Sequence, residues 1–138
     1  MMWLTRRYRL PAAHVLAHAS FTPEENRRIY GKCANPAGHG HNYVVEVSVT
    51  GPLDPCSGRI IDPDALDEIF ERRIAGRFGH RMLNEDPAFA RCVPTGENLA
   101  RVIHAELAPA LERAGTARLA RVRVVETRRN SFVYGEMP

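Results

Sequence analysis

The sequence predicts an α+β domain with its helices on one face of an antiparallel sheet. Three observations predict it. Strand-like stretches occur near both ends of the chain, at residues 2–13, 42–51, 118–127 and 131–134. Two stretches with helical spacing lie together between them, Leu66-Ile69-Phe70-Ile74 and Leu99-Val102-Ile103-Leu107. Strands, then helices, then strands, without strict alternation, is the pattern of segregated layers.

The elements follow in order. Residues 2–13 alternate and are rich in Trp, Leu and Tyr, which predicts a strand. Residues 16–38 contain Pro23, Gly31, Asn35, Pro36 and Gly38, so a long loop follows, with a short helix starting at Thr22. A loop of this length inside a compact domain is usually functional. In residues 42–51, Tyr43, Val45, Val47 and Val49 occupy one face of a second strand. Gly51-Pro52-Leu53-Asp54-Pro55 turns the chain, and residues 58–61 read as the second arm of a hairpin. Asp62 followed by Pro63 starts a helix that ends at Gly76. A loop through Pro94 holds His80, and Thr95 caps a second helix that Pro109 bends or ends. Residues 118–127 place Val122, Val124 and Glu126 on one strand face, and 131–134 form a short last strand.

The 138 residues fit a single domain spanning 1–138. At 44% apolar the chain is globular, and no run reaches the length of a membrane span. Charge is modest, +3 from 19 basic and 16 acidic residues, and every basic residue but Lys32 is arginine. No basic stripe is interleaved with aromatics, which excludes a nucleic-acid partner, while arginine suits an anionic small molecule. Met1–Leu10 has no apolar region of a secretory signal. Three cysteines without disulfide-like spacing predict reduced thiols and a cytoplasmic protein.

The most informative stretch is Gly38-His39-Gly40-His41-Asn42-Tyr43. Residues i and i+2 of an extended segment point to one side, so His39 and His41 converge. His14, at the end of the first strand, is a third imidazole. Three histidines with an open fourth position are the pattern of a catalytic metal, and zinc is chosen over nickel or iron, which imidazole also suits. Cys33, close by in sequence, is a candidate base or nucleophile. Glu126 is a core-facing carboxylate that needs partners: an arginine, or the N–H groups of a ligand. His18 reads as a loop or rim residue, His104 as structural, and Cys56 and Cys92 as buried small apolar residues.

Together these residues resemble the 6-pyruvoyltetrahydropterin synthase family. Cys33-Ala34-Asn35-Pro36-Ala37-Gly38-His39-Gly40-His41-Asn42-Tyr43 is similar to its signature. Ala12-Ala13-His14, Tyr30-Gly31-Lys32, His80-Arg81-Met82-Leu83-Asn84, Pro94-Thr95-Gly96-Glu97-Asn98-Leu99, Glu126-Thr127 and Tyr134-Gly135-Glu136 resemble its other motifs in order along nearly the whole chain. The resemblance implies a tunnelling fold, a four-stranded antiparallel sheet with two helices packed on one face, assembled as a homohexamer of two trimers. It implies zinc on His14, His39 and His41, a base at Cys33 aided by His80, and a pterin ring anchored by Glu126 with Thr95 and Glu97 near the same pocket. The implied substrate is 7,8-dihydroneopterin triphosphate, converted to 6-pyruvoyltetrahydropterin with loss of triphosphate.

One position departs from the family pattern. The aspartate that normally precedes the catalytic histidine is Gly79 here. By analogy with catalytic triads, loss of an orienting carboxylate slows the chemistry, by about 10⁴ in one case. Another acid then takes its place (Glu85, Asp86 or Asp62), or His80 acts unassisted, and restoring the aspartate is expected to raise turnover. The resemblance leaves two alternatives: the 6-carboxytetrahydropterin synthase of queuosine biosynthesis, and a pterin-binding homologue with weak catalysis.

Overall fold

The computed structural model describes residues 2–137. Its frame is one antiparallel sheet in the order β1-β2-β3-β4, built from β1 (Trp3–His14), β2 (His39–Thr50), β3 (Arg118–Val125) and β4 (Ser131–Gly135). The alternation of β2 sets the sheet's two faces: Tyr43, Val45, Val47 and Val49 are fully buried against the helices. Val47 lies between Arg6 of β1 and Val122 of β3, and the ladder slips once at a bulge between Ser48 and Val49. The opposite face is polar. There Thr5 and Ser48 hydroxyls meet at 2.8 Å, and Glu46 takes Arg7 at 3.1 Å and Arg123 at 2.9 Å.

Three helices accompany the sheet: α1 (Pro23–Tyr30), α2 (Pro63–Phe70) and α3 (Gly96–Ala114). Thr22 and Glu25 close a reciprocal capping box on α1. The Asp62 carboxylate caps α2 and the Thr95 hydroxyl caps α3. Leu66 and Ile69 of α2 and Leu99, Ile103 and Leu107 of α3 join the valines of β2 and β3 in one core. So α2 and α3 are the two helices of the packed face, and α1 belongs to the long β1–β2 connection. At the rim, Tyr8 stacks on Phe70 with ring centres 4.0 Å apart, and its hydroxyl donates to Asp67, which also receives Arg6.

Four expectations need correction. Residues 58–61 are not a strand. Both edges of β2 are already taken, by β1 and β3, so no ladder is open to a hairpin arm. The segment instead closes a turn on Asp54: Gly58 N–H donates to Asp54 O at 2.7 Å and Asp54 N–H to Arg59 O at 2.9 Å, while the Asp54 carboxylate accepts from the N–H groups of Cys56 and Ser57 and from the Ser57 hydroxyl. Pro109 does not end α3, which runs on to Ala114. Its ring lies on the solvent side next to exposed Ala105, whose freed carbonyl is solvated. The helix begun at Asp62 does not stop at Gly76: α2 continues through a π-helical segment, Glu71–Ala75, into a last turn, Gly76–Phe78. Cys56 is exposed on the Asp54 turn and Cys92 only partly buried.

Candidate active site

The site forms where β1 ends and β2 begins. In the β1–β2 ladder His14 pairs with His39 and Ala12 with His41. The side chains of His14, His39, His41 and Tyr43 therefore share one sheet face. His39 and His41 rings stand 4.4 Å apart, and His14 and His41 4.8 Å. His39 and His41 share a face as the His-x-His spacing predicts, but the compact group of donor atoms takes only His41 of the two.

Hydrogen bonding orients His14. Its Nδ1 is 2.9 Å from the Pro94 carbonyl, which can only accept, so Nδ1 carries the proton. Nε2 then presents a lone pair, 3.1 Å from Nε2 of His41. Two nitrogens of one tetrahedral zinc, each about 2.0–2.1 Å from the ion, stand roughly 3.3 Å apart. The Tyr43 hydroxyl, fully buried, lies 3.1 Å from the same Nδ1. Such an outer partner fixes a ligating imidazole.

Cys33 comes from the β1–β2 connection. It sits in the 3₁₀ turn Gly31–Ala34, and its carbonyl accepts from Leu16 N–H at 2.7 Å, which ties the turn to the end of β1. Donor atoms of His14, Cys33 and His41 all lie within 4.8 Å of one another. His39 flanks this trio rather than belonging to it.

The electrostatics favour neutral imidazoles. Burial pushes His14 below the ordinary histidine value. His41 is pushed down to about 4, by burial first and then by the positive forms of His14, His39 and Lys32. Burial pushes the Cys33 thiol up, with the Glu126 charge adding to it and Lys32 opposing. Glu126, half-buried just past β3, is pushed up by burial and by Glu97.

The other predicted residues lie around this centre. Thr95 uses its hydroxyl on Asn98 N–H as the α3 cap, which sets exposed Glu97 in the first turn of that helix beside Glu126. His80 stands apart from the cluster. It is exposed, at φ 58°, and its N–H donates to Pro11 O at 2.6 Å. Residues 80–82 thereby run along the open edge of β1, where Met82 bridges Ala13. Gly38 has φ +91°, a backbone conformation that favours glycine, and the flexible tip of Met82 lies over it. Of the acids weighed as substitutes at position 79, Asp86 is held by Arg77 at 2.7 and 2.9 Å and Asp62 caps α2. His18 lies on the exposed loop as expected, and His104 packs its ring edge against Tyr134.

Sequence reasoning missed Tyr43, Pro94 and Asn84 as site residues. The Asn84 amide both donates to and accepts from the Val15 backbone at 2.8 Å, holding the chain just after His14. Tyr43 could have been found, since it lies two residues after His41 on the same strand face. Pro94 and Asn84 act across long sequence separations that no local pattern marks.

Fold and cluster together define the class: an α+β protein of the tunnelling type with a site able to hold a metal. The 6-pyruvoyl tetrahydropterin synthase profile matches residues 3–137. The 6-pyruvoyl tetrahydrobiopterin synthase of Poecilia reticulata is 40% identical over 133 residues, 96% of this chain and 88% of that one. The Homo sapiens enzyme of the same name is 39% identical over 132 residues, 95% and 89% of the two chains. The solved 6-pyruvoyl tetrahydropterin synthase of Caenorhabditis elegans superimposes with a TM-score of 0.86 at 32% identity, covering 99% of this chain and 96% of that one. The chain belongs to the 6-pyruvoyl tetrahydropterin synthase family, a family of lyase-type enzymes.

Proposed function

We propose that this protein is a zinc-dependent 6-pyruvoyltetrahydropterin synthase. It converts 7,8-dihydroneopterin triphosphate to 6-pyruvoyltetrahydropterin and triphosphate. The observation that carries the reading is the pair of facing Nε2 atoms of His14 and His41, with the Cys33 thiol beside them, in a chain of this family.

The donor set fits the metal. His14, His39 and His41 would hold zinc as neutral imidazoles, consistent with the downward shifts of His14 and His41. Bound there, zinc supplies Lewis acidity toward the substrate's side-chain oxygens and a template for them. Cys33 takes a side-chain proton and gives it back, with His80 as a second proton carrier. Glu126 accepts N–H bonds from the pterin edge and fixes its orientation, and Thr95 and Glu97 shape the same pocket. Ring anchor and thiol near the imidazoles would hold the reacting carbons over the site. The enzyme works in the cytoplasm as a homohexamer, a dimer of trimers, and its free cysteines suit that compartment.

Incubation of zinc-loaded protein with 7,8-dihydroneopterin triphosphate, followed by mass spectrometry, tests this. Pyruvoyl product that disappears in Cys33→Ala is expected. Carboxylated product moves the assignment to the 6-carboxytetrahydropterin type. Tight pterin binding without turnover identifies a binding homologue, the reading that Gly79 favours.

A further inference from the structure

Cys33 lies among the donor atoms that could hold a metal. Its Sγ belongs to the compact donor trio with His14 and His41, all within 4.8 Å, which His39 flanks. The 3₁₀ turn that carries it is fixed from both ends: Leu16 N–H to Cys33 O at 2.7 Å, and Asn35 N–H to Lys32 O at 3.1 Å. Among the described residues the thiol makes no hydrogen bond, so nothing holds it away from the imidazoles. In a tetrahedral zinc site, sulfur at about 2.3 Å and nitrogen at about 2.0–2.1 Å from the ion stand roughly 3.5 Å apart. The donor atoms of the trio, all within 4.8 Å of one another, are already near that spacing.

We propose that in the substrate-free protein Cys33 is the fourth, displaceable ligand of the metal held by His14, His39 and His41. This rests on the zinc reading given above. Cys33 loses its thiol proton to solvent when it ligates, because metal coordination deprotonates a thiol. The substrate's side-chain oxygens then displace Sγ. The freed thiolate takes a proton from the substrate side chain, forming S–H, and returns it to another carbon of the product. One proton leaves on ligation, one is taken and given back, and no oxidant or reductant is needed. The arrangement delivers the base already deprotonated, and only when substrate is present. It also closes the metal to water between turnovers.

Cobalt(II) substitution of the full-length, metal-free protein tests this. One cobalt per chain is expected, with visible d–d bands of a four-coordinate site and a near-ultraviolet sulfur-to-cobalt charge-transfer band. The charge-transfer band is lost in Cys33→Ser while the d–d bands remain, and it disappears from the unmutated protein on saturation with 7,8-dihydroneopterin triphosphate. Cobalt binding without a charge-transfer band overturns the proposal and leaves the zinc reading standing. Failure to bind cobalt overturns both. A band that survives Cys33→Ser, or that survives substrate, overturns the proposal as well. Should Cys33→Ser not fold, X-ray absorption on the unmutated zinc protein decides the matter: one sulfur at about 2.3 Å supports Cys33 and an all-nitrogen/oxygen shell excludes it.

Discussion

Nε2 of His14 faces Nε2 of His41 at 3.1 Å across the β1–β2 ladder, with the outer nitrogen of His14 tied to the Pro94 carbonyl. Two lone pairs this close repel unless a cation or a proton lies between them. In the metal-free protein that proton is the Nε2–H of a neutral His41 donating to His14 Nε2, and a further proton that would charge either ring is disfavoured, since burial holds both below the ordinary histidine value, His41 down to about 4. Metal retention is therefore expected to stay flat from pH 8 to about 6 and to collapse toward pH 4, read as zinc content after dialysis. The metal-free protein shows the companion effect. The unfolded chain protonates His41 near 6.5, the folded chain only near 4, so the unfolded state binds more protons between those values. Stability of the metal-free form falls as pH drops through that window, and denaturant midpoints at pH 7 and pH 5 measure it. Equal wild-type midpoints at the two pH values, or the same pH dependence in His41→Ala, would contradict this account.

Tyr43→Phe removes the second polar partner of His14 Nδ1 but leaves Pro94 in place. Outer partners of ligating histidines are worth 10- to 100-fold in metal affinity. With one of two partners kept, the low end applies, and zinc affinity should fall about tenfold. Competition with a chromophoric chelator reads this directly, and unchanged circular dichroism excludes a folding defect. An unaltered affinity assigns Tyr43 to the core alone.

Gly79→Asp was the change expected from the sequence to raise turnover. The structure sets a steric obstacle against that change. A Cβ at position 79 would stand 2.5 Å from the Ala75 carbonyl oxygen, which already accepts the Gly79 N–H at 2.9 Å. The obstacle is backbone at the end of the π-helical stretch, so relief requires moving the helix end. We expect a loss of about 1–3 kcal/mol, the range of overpacking in rigid surroundings, and no gain in turnover. Chemical denaturation and initial rates on the same variant check both halves.

How legible this site was follows from the range of each interaction. The His-x-His pair needed only strand periodicity, and His14 followed because it ends the neighbouring strand. The caps at Thr22, Asp62 and Thr95 were readable because a cap is local chemistry over three residues. The arm at 58–61 was misread because its pairing partner, β2, is claimed by β3 more than sixty residues later. Pro109 was overweighted because its effect depends on whether the freed carbonyl faces solvent, a tertiary property. Asn84 and Pro94 were invisible for the same reason: their partners, Val15 and His14, are 69 and 80 residues away. Cys56 was placed inside on residue type alone, and a turn built by Asp54 holds it outside.

Gly96 offers a test of how β4 sets the start of α3. A Cβ there would lie 2.1 Å from the ring of Phe132, which packs against the core from the edge strand. Gly96→Ala should cost about 1–3 kcal/mol. Because the obstacle is one side chain, Phe132→Leu in the same protein should recover much of that loss, a non-additive pair in a double-mutant cycle. Additive losses would mean that the helix start is fixed by Thr95 and Asn98 instead.

Glu126 and Glu97 make the last prediction, which rests on Glu126 as the pterin anchor. Burial and the neighbouring Glu97 charge push the Glu126 carboxyl up, so it takes a proton at a higher pH than an ordinary glutamate. Only the ionised form accepts two N–H bonds, so substrate binding weakens as pH falls through that raised value. Glu97→Gln removes the second cause while leaving the burial. Glu126 then stays ionised to lower pH, and the acid limb of kcat/KM should shift downward without a change in its plateau. Glu126→Gln, by contrast, should raise KM about tenfold or more, since charge-assisted bonds are worth about 1.5–3 kcal/mol. The contrast separates two roles for the pair. If Glu97 itself bonds the substrate, its replacement lowers the plateau rather than moving the limb, and the pH profile of one variant decides between them.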